Sequence, residues 1–517
     1  MKIVILYFIC YIIISNHLFA QPGSLDETFG SDGEVTTTFG SADDYCWAVA
    51  VQPDGKIITV GNTTASFHNF FALARYNSNG TMDNTFSSDG KTTSDFGTGW
   101  CEAYAVALQT DGRIIAAGFF EDDSDDFGLI RYNANGTIDN TFGVNGFVRT
   151  DFEGKDDYVN AIKVTTDGKI VAAGSSETDA YDAFALARYK ADGKPDSSFS
   201  EDGKVITSIG TADDSAWSMA IQPDGKIVAG GSSYNSTTKD DFSLARYNVD
   251  GTLDEDFGVN GAVITDFFGG YDNAYSIALQ TDGKIVVVGS SNYGNNYLAL
   301  ARYDSTGKPD SSFNSDGKQT TFAGTTFGTS VAIAADGKII AAGYVNSSTR
   351  NYLLARYYSN GTPDSSFNND GWLTDSWGSY SDYAYGLSLQ PDGKIVLAGF
   401  TSNNVATEFD FALSRYLSEF NVGLIDLSIP GNTLFIYPNP VTQHTTLQYT
   451  LKSTETISIQ LLDMEGRFVK TLINSEQQQE GCHQLELDLP HSLPGGTYFM
   501  VISNEYGAKV STQIFKQ

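Results

Sequence analysis

One segment recurs seven times in the sequence with small variations, and this repetition constrains the fold more than any other feature. The first copy reads QPDGKIITVG, at residues 52–61, and its turn aspartate returns at intervals of 54 to 58 residues. The seven turn aspartates are Asp54, Asp111, Asp167, Asp224, Asp282, Asp336 and Asp392. A period of this length is typical of solenoids and propellers, in which each unit buries its surface against the next.

Each unit is predicted to hold four β-strands. In the first unit, strand A is WAVAVQ, strand B is KIITVG after the PDG turn, strand C is FALARY, and strand D lies in TFSSDGKTTSDF. Strict alternation predicts that Trp47, Val49 and Val51 point to one face and the alanines between them to the other. A four-stranded sheet that is bulky on one face and small on the other stacks on copies of itself, as in a β-propeller.

The chain ends distinguish a closed ring from its rival, a linear β-solenoid. The chain without its first 20 residues begins inside the unit, with LDETFGSDG, and the seventh unit ends after strand C at Tyr416. The N-terminal strand is therefore predicted to complete the last blade, which would remove the free sheet edges that favour aggregation. The predicted fold is all-β, with residues 21–418 forming a seven-bladed β-propeller.

An arginine of strand C and an aspartate eight residues later recur in six units, and Arg415 is expected to meet Asp26 across the closure. A catalytic pair need not occur seven times, so we interpret the pairs as partly buried, charge-assisted bonds between strands C and D. The other six predicted ion pairs are Arg75 with Asp83, Arg131 with Asp139, Arg188 with Asp196, Arg246 with Asp254, Arg302 with Asp310, and Arg356 with Asp364.

A further carboxylate often precedes the turn aspartate by ten residues, in the loop between strand D and the next strand A. This loop is expected on the same face as the variable B–C loops, and variable loops on a rigid scaffold often carry binding sites. The candidate binding residues are Asp44, Asp157, Asp214, Asp272, Asp382, Tyr234 and Tyr293. Two alternatives stay open for the aspartates: they cap turns, or they hold a cation, with calcium favoured by hard oxygen donors. No other cofactor is expected.

The repeats resemble the delta-60 repeat family of bacterial secreted proteins. The resemblance rests on QPDGKI, FALARY and LDETFG recurring in phase, and it covers all seven units. It implies a repeat protein of the secreted class and transfers no reaction to any residue of this chain.

The charge balance excludes some classes of partner. The chain has 63 acidic and 31 basic residues, a formal net charge of −32. Such a chain is not expected to bind nucleic acid or an anionic membrane surface, since both need clustered Lys and Arg. His68 is the only histidine between residues 21 and 418, so catalysis by a Ser-His-Asp triad is poorly supported.

Residues 1–20 read as a secretory signal peptide, with one lysine and then an apolar run that is short for a membrane span. Cleavage is predicted between Ala20 and Gln21, and no transmembrane segment is expected in the mature chain. Cys46 and Cys101 lie in equivalent segments of neighbouring repeats. A disulfide between them and two free thiols are both compatible with the sequence.

The repeat stops before a linker at residues 419–432. Residues 433–517 show short alternating strands with turn signals, which predict a small Ig-like β-sandwich. This segment resembles the type A C-terminal sorting domain of the type IX secretion system of Bacteroidetes. The resemblance rests on LPGGTYFMV, on DMEGRFVKTL, and on the YPNP motif, formed by Tyr437, Pro438, Asn439 and Pro440. It implies that residues 433–517 engage the secretion machinery, and that the protein is secreted or displayed at the cell surface.

The sequence favours a monomeric, non-enzymatic surface protein that binds a glycan or a protein on its loop face. The alternative is an extracellular polysaccharide-active hydrolase or lyase that uses carboxylates at the mouth of the propeller. An enzyme is expected to break the symmetry of the repeat with residues found in one unit. Few such residues stand out, namely Trp100 and Cys101 in the second unit and residues 325–327 in the sixth.

Overall fold

The computed structural model describes residues 21–40, 42–65, 68–97, 99–346, 349–376, 381–402, 408–418, 435–437, 441, 443–451, 454–462, 468–489, 493, 495–504 and 509–516. One compact unit is Gly23–Ser418, and the other contains residues 419–517. The signal peptide with Ala20, the linker 419–432, and Pro438, Asn439 and Pro440 lie outside the described residues. None of the described residues belongs to a helix that could cross a membrane.

Within the described part of the first unit, the strands form seven antiparallel, four-stranded sheets, as predicted for a seven-bladed propeller. Blade 1 consists of β2 (Asp44–Val51), β3 (Ile57–Ala65), β4 (His68–Tyr76) and β5 (Lys91–Ser94). Blade 2 consists of β6 (Cys101–Leu108), β7 (Ile114–Glu121), β8 (Asp125–Tyr132) and β9 (Phe147–Thr150). Blade 3 consists of β10 (Asp157–Val164), β11 (Ile170–Glu177), β12 (Asp182–Tyr189) and β13 (Lys204–Thr207).

The remaining blades follow the same order of strands A to D. Blade 4 consists of β14 (Asp214–Ile221), β15 (Ile227–Asn235), β16 (Lys239–Tyr247) and β17 (Ala262–Thr265). Blade 5 consists of β18 (Asp272–Leu279), β19 (Ile285–Asn292), β20 (Asn296–Tyr303) and β21 (Lys318–Thr321). Blade 6 consists of β22 (Thr325–Ile333), β23 (Ile339–Asn346), β24 (Arg350–Tyr357) and β25 (Trp372–Asp375). Blade 7 consists of β26 (Asp382–Leu389), β27 (Ile395–Ser402), β28 (Phe409–Tyr416) and the N-terminal β1 (Glu34–Thr37).

The N-terminal strand closes the ring. Strand β1 pairs with β28 in antiparallel register, with Glu34 opposite Ser414 and Thr37 opposite Phe411. A further bridge joins Leu25 to Tyr416. The prediction that the two ends of the repeat region share one blade is therefore confirmed.

The hydrophobic core lies between blades rather than within them. One buried cluster, for example, combines Leu129 and Phe127 of blade 2 with Ile170, Val159 and Tyr189 of blade 3. Equivalent clusters lie at each of the other six blade junctions. A single blade therefore has no core of its own, which is why the fold needs the complete ring.

One detail of the strand prediction is wrong. Strand A of blade 1 does not alternate strictly, because the register with β3 shifts between Cys46 and Ala48. Trp47 is the extra residue of a β-bulge, so it opposes no single partner on the neighbouring strand. A bulge changes the direction of the side chains around it. The predicted alternation of Trp47, Val49 and Val51 did not include a bulge, so it gave the wrong direction for Trp47.

The C-terminal unit is a small β-domain of two sheets. One sheet contains β29 (Phe435–Tyr437), β30 (His444–Leu451) and β33 (Gly481–Asp488). The other contains β31 (Glu455–Leu462), β32 (Phe468–Gln478), β34 (Gly496–Asn504) and β35 (Lys509–Lys516). Leu447 and Leu487 of the first sheet share a core with Ile459, Met500 and Ile502 of the second, as in a β-sandwich.

Candidate functional site

The strand A segments line a central cavity of about 740 Å³. Strand A is the innermost strand of every blade, and each strand A contacts the strand A of its neighbours. The lining also includes Asp182, which follows the B–C loop of blade 3. The cavity therefore reaches the face that carries the B–C loops, and its volume lies within the range of about 300–1,000 Å³ that is usual for ligand pockets.

A β-bulge occurs at the same place in all seven described inner strands. Every bulge residue lines the cavity, so the bulge is the local device that turns one side chain per blade toward the axis. Five of these residues are aromatic and two are polar. In blade order they are Trp47, Tyr104, Asn160, Trp217, Tyr275, Thr329 and Tyr385.

A glycine on strand B makes each bulge sterically possible. A Cβ added to Gly231 would lie 1.8 Å from the carbonyl oxygen of Ser215, just before the bulge at Trp217. The other six glycines that face a bulge would place a Cβ 1.7–1.9 Å from the equivalent oxygen. They are Gly61, Gly118, Gly174, Gly289, Gly343 and Gly399. The bulged backbone occupies the space of a side chain, and only glycine leaves that space open.

The aromatic bulge residues contact one another around the cavity. The ring centroids of Trp47 and Tyr385 are 4.7 Å apart, and those of Trp47 and Tyr104 are 5.7 Å apart. Trp217 and Tyr275 form a separate pair at 5.7 Å. Desolvation in the cavity wall raises the pKa of Tyr275 to about 12 and that of Tyr385 further, so both phenols are neutral at physiological pH. The wall is therefore rich in uncharged ring surface.

The two polar bulge residues fix the inner strands to one another. The Asn160 side-chain amide donates to the Ala216 carbonyl in the next blade at 2.9 Å. The Thr329 hydroxyl donates to the Ala384 carbonyl, also in the next blade, at 2.8 Å. These side chains are occupied by the scaffold, so the aromatic residues supply most of the surface that a ligand would meet.

Lys163 is the one basic residue among the described residues that line the cavity, and Asp182 is the one acidic residue. Lys163 lies three residues after the bulge of blade 3, where the other six blades have alanine or serine. Desolvation lowers the pKa of its ammonium group, although the side chain is exposed to the cavity. No carboxylate oxygen in the described part of the chain lies within ion-pair distance of Lys163, so its ammonium group has no ion-pair partner there.

The five candidate aspartates are buried at the start of strand A. Asp44, Asp157, Asp214, Asp272 and Asp382 are each 0% exposed. Four of them accept a hydrogen bond at 2.6–2.7 Å from the backbone N–H five residues earlier, in the D–A loop. Asp382 accepts from the Thr401 hydroxyl at 2.5 Å. These hydrogen bonds agree with the interpretation as turn caps, and because each of them engages one carboxylate oxygen, they do not exclude a cation at the other oxygen.

The two candidate tyrosines lie outside the cavity lining. Tyr293 is 66% exposed in the B–C loop of blade 5, and its ring centroid lies 5.6 Å from that of Phe268. Tyr234 is half-buried on β15. The structure therefore does not bring these side chains to the bulge residues, and Tyr293 belongs instead to an exposed aromatic patch.

The arginines and aspartates of the repeat form short ion pairs in every blade. The distance from Arg Nε to Asp Oδ2 is 2.7 Å for Arg75–Asp83 and 2.9 Å for Arg415–Asp26, and the other five pairs fall between these values. Each arginine also donates to a backbone carbonyl of the following blade. The pairs thus join blade to blade and stand away from the cavity.

The remaining residues singled out in the sequence have structural surroundings of their own. Cys46 and Cys101 are buried free thiols, and burial raises the pKa of both. Gln21 is exposed, and the backbone of Tyr437 ends strand β29.

The sequence carried signals for the cavity that periodicity alone does not reveal. The glycine within each strand B, as in ITVG and AAG, marks a place where a backbone approaches closely. Lys163 appears in AIKV, at a position where the other six units have alanine or serine. Neither signal identifies a cavity residue until strand A is known to be the innermost strand.

Comparison with known families agrees with this architecture. Seven segments match the family described as "Domain of unknown function (DUF5122) beta-propeller", namely residues 52–86, 109–142, 165–199, 222–257, 280–313, 334–367 and 390–419. Residues 435–517 match the secretion system C-terminal sorting domain. Among curated proteins, none is significantly similar in sequence to this chain.

Several solved structures are similar to this chain at low sequence identity and low TM-score. The polysaccharide lyase Uly1 is 12% identical with a TM-score of 0.43, over 76% of this chain and 92% of that chain. The periplasmic gluconolactonase PpgL of Pseudomonas aeruginosa is 13% identical with a TM-score of 0.38, over 73% of this chain and 99% of that chain. A protein of unknown function from Dyadobacter fermentans is 10% identical with a TM-score of 0.41, over 74% and 97%. None of these likenesses bears on what this chain binds.

The sorting domain determines where the protein is found. It directs export through the type IX secretion system, so the protein is secreted or displayed on the surface of a Bacteroidetes bacterium. The repeat region belongs to the DUF5122 family of β-propellers, and the chain carries the C-terminal sorting domain of a type IX secretion substrate.

Proposed function

We propose that this surface protein binds a carbohydrate chain in the aromatic cavity at the centre of its propeller. The observation that carries the proposal is the set of seven bulges, which direct the side chains of two tryptophans and three tyrosines toward one cavity. The C–H faces of sugar rings pack against aromatic rings, whose faces carry negative charge density. An extracellular location gives the protein access to polysaccharides.

The charged residues of the cavity favour an acidic sugar. Lys163 offers an ammonium group to a carboxylate or sulfate of the ligand, and hydrogen bonds between such charged groups are stronger than those between neutral groups. Asp182, from the same blade, can accept hydrogen bonds from sugar hydroxyls. Binding of a uronic-acid chain would compensate the charge of Lys163, and a neutral sugar would not.

The test measures binding of the mature full-length chain to immobilised β-glucan and alginate oligosaccharides. Trp217→Ala removes one ring from the cavity, and burying an aromatic side chain contributes about 1.5–3 kcal/mol, so affinity should fall by about 10- to 100-fold. Trp100→Ala is the matched control, because Trp100 is 49% exposed and outside the cavity lining. Equal binding by the two variants would contradict the proposal.

Lys163→Met separates the acidic from the neutral ligand. The variant should lose affinity for alginate and keep its affinity for any neutral glycan that the wild type binds. Loss of both would show that Lys163 supports the cavity wall rather than a ligand charge.

Catalysis is the second candidate, and the position of Lys163 in the cavity wall is the observation that favours it, together with the desolvation that lowers the pKa of its ammonium group. A lysine whose pKa falls toward the working pH can act as a general base, for example in removing the proton next to the carboxylate of a uronic acid. Incubation with alginate, followed by ultraviolet absorbance of unsaturated products, tests this step. Product formation that Lys163→Met abolishes would support an enzyme, and stable binding without products would support a binding protein.

A further inference from the structure

Two groups of three aspartates occupy equivalent junctions of the ring. The first group, called the Arg149 cluster after the residue next to it, contains Asp126, Asp151 and Asp157, at the junction of blades 2 and 3. The second group, called the Ile264 cluster after the residue at the equivalent position, contains Asp241, Asp266 and Asp272, at the junction of blades 4 and 5. In each cluster, one carboxylate oxygen from every residue lies within 4.8 Å of the others.

The strand register explains the proximity of the carboxylates in the Ile264 cluster. Phe242 of β16 is opposite Thr265 of β17, so the preceding Asp241 and the following Asp266 are brought next to each other. Asp272 begins the first strand of the next blade and completes the group. Like charges at opposed strand positions are destabilising, and buried carboxylates need a compensating charge or proton.

The Arg149 cluster has such a charge within the protein. The Arg149 guanidinium lies 2.6 Å from an Asp126 carboxylate oxygen. Arg149 is opposite Gly128, two positions beyond Asp126 along β8. This arrangement supplies a cation from the same blade.

The Ile264 cluster has an isoleucine where the other cluster has its arginine. Ile264 is opposite Ser243, two positions beyond Asp241, and is 46% exposed. Lys318 is near, but its ammonium group donates to the backbone carbonyl of Asp266 at 3.1 Å. Among the residues that the structure describes, no Lys or Arg forms an ion pair with the three carboxylates of this cluster.

Oδ1 of Asp241, which is 1% exposed, is buried without a hydrogen-bond partner in the described part of the chain. Asp272 is 0% exposed, and the Ser291 hydroxyl, opposite it on β19, lies near its carboxylate. Oδ2 of each residue is held in place, by the Thr238 hydroxyl at 2.5 Å and by the Phe267 N–H at 2.7 Å. The Asp241 carboxylate is therefore oriented by one oxygen and has the other available for a ligand.

We propose that the Ile264 cluster binds one calcium ion, which links blade 4 to blade 5 in place of an arginine. Calcium takes six to eight oxygen ligands at about 2.3–2.6 Å, so oxygens on opposite sides of the ion lie about 4.8 Å apart. The three carboxylates supply at least one oxygen each, water can complete the shell, and all-oxygen donor sets suit calcium over transition metals. An extracellular protein meets calcium at concentrations that suit a modest affinity, with a Kd of about 10⁻⁴–10⁻³ M in many extracellular modules.

Calorimetric titration of the mature full-length chain with CaCl₂, after treatment with EDTA, tests the proposal. The wild type should bind one calcium ion per chain, and Asp241→Asn should abolish this binding. Ile264→Arg should also abolish it, because the new guanidinium occupies the position of Arg149. Position 264 is on the surface, so this variant is expected to fold, which thermal unfolding checks.

The other cluster provides the matched experiment. Arg149→Ile should create a second site, so the number of bound calcium ions should rise from one to two. Diffuse binding of several ions that Asp241→Asn and Ile264→Arg leave unchanged would overturn the proposal, since it would reflect only the net charge of −32. Absence of binding to the wild type would overturn it as well.

Discussion

Replacing Arg415 by methionine tests whether the ion pair that closes the ring is structural. Arg415 contacts Asp26 at 2.7 Å through Nη2 and at 2.9 Å through Nε. Its Nη1 donates to the Gln390 side-chain oxygen at 2.9 Å and to the Ser78 carbonyl in blade 1. The guanidinium also lies 4.6 Å from the centroid of the Phe29 ring. The variant loses all of these contacts and keeps most of the side-chain volume.

The expected loss of stability follows from burial of the pair. Both side chains are 4% exposed, and removing one partner of a buried ion pair costs about 3–5 kcal/mol. Lys394 remains 3.0 Å from Asp26 and partly compensates its charge, so we expect the lower end, about 3 kcal/mol. At about 2.1 cal/mol/K per residue for a unit that spans Gly23–Ser418, this corresponds to a decrease in Tm of about 4 °C.

Tryptophan fluorescence during heating measures this change in the propeller alone, because all five tryptophans precede residue 419. Arg188→Met is the matched control: Arg188 contacts Asp196 at 2.8 Å, and a second cation, Lys169, lies at 3.1 Å. If the ring unfolds as one cooperative unit, the two variants should have the same Tm. A wild-type Tm for Arg415→Met, with a lowered Tm for Arg188→Met, would refute the view that the closing strand belongs to that unit.

The pH dependence gives a second measurement of the same pair. Burial alone would raise the pKa of Asp26, but hydrogen bonds from Thr28 and Lys394 and the charge of Arg415 lower it to about 2. Because the folded-state pKa is below the unfolded value of about 3.9, the stabilisation is present above pH 4 and is lost as the pH falls toward 2. The difference in Tm between wild type and Arg415→Met should therefore shrink over this range.

Two further predictions concern the start of strand A. Desolvation raises the pKa of Asp214 to about 6, so its contribution to stability is present below pH 4 and is lost as the pH rises through 6. Asp214→Asn should therefore flatten the pH dependence of Tm in this range. An unchanged slope would contradict this assignment. Gly231→Ala should destabilise the propeller by about 1–3 kcal/mol and alter the fluorescence of Trp217, since the new Cβ meets the Ser215 carbonyl at the bulge. Gly40→Ala is the control for the glycine variant, because a Cβ at Gly40 has no neighbour within 4 Å, and an equal Tm for both would argue against the steric role of Gly231.

The sequence alone determined the architecture because the repeat is regular. Seven copies of a four-stranded pattern, with the first copy entered at strand D, permit closure only through the N-terminal strand. The spacing of Arg75 and Asp83 predicted an ion pair for the same reason, since Arg75 lies on strand C and Asp83 follows in the short connection to strand D of the same blade. Local patterns of this kind depend on a few neighbouring residues and are readable from one chain.

The tertiary structure decided what the inside of the ring contains. Trp47 and Trp217 line the cavity because a bulge breaks the alternation on which strand predictions depend, and the bulge is set by backbone packing against glycines. The proximity of Asp241 to Asp272, and the difference between Arg149 and Ile264, arise where two blades meet. Distances between blades depend on the closed ring as a whole. Contacts between residues that are far apart in sequence, such as those of the cavity and of the aspartate clusters, could therefore be identified only from the tertiary structure.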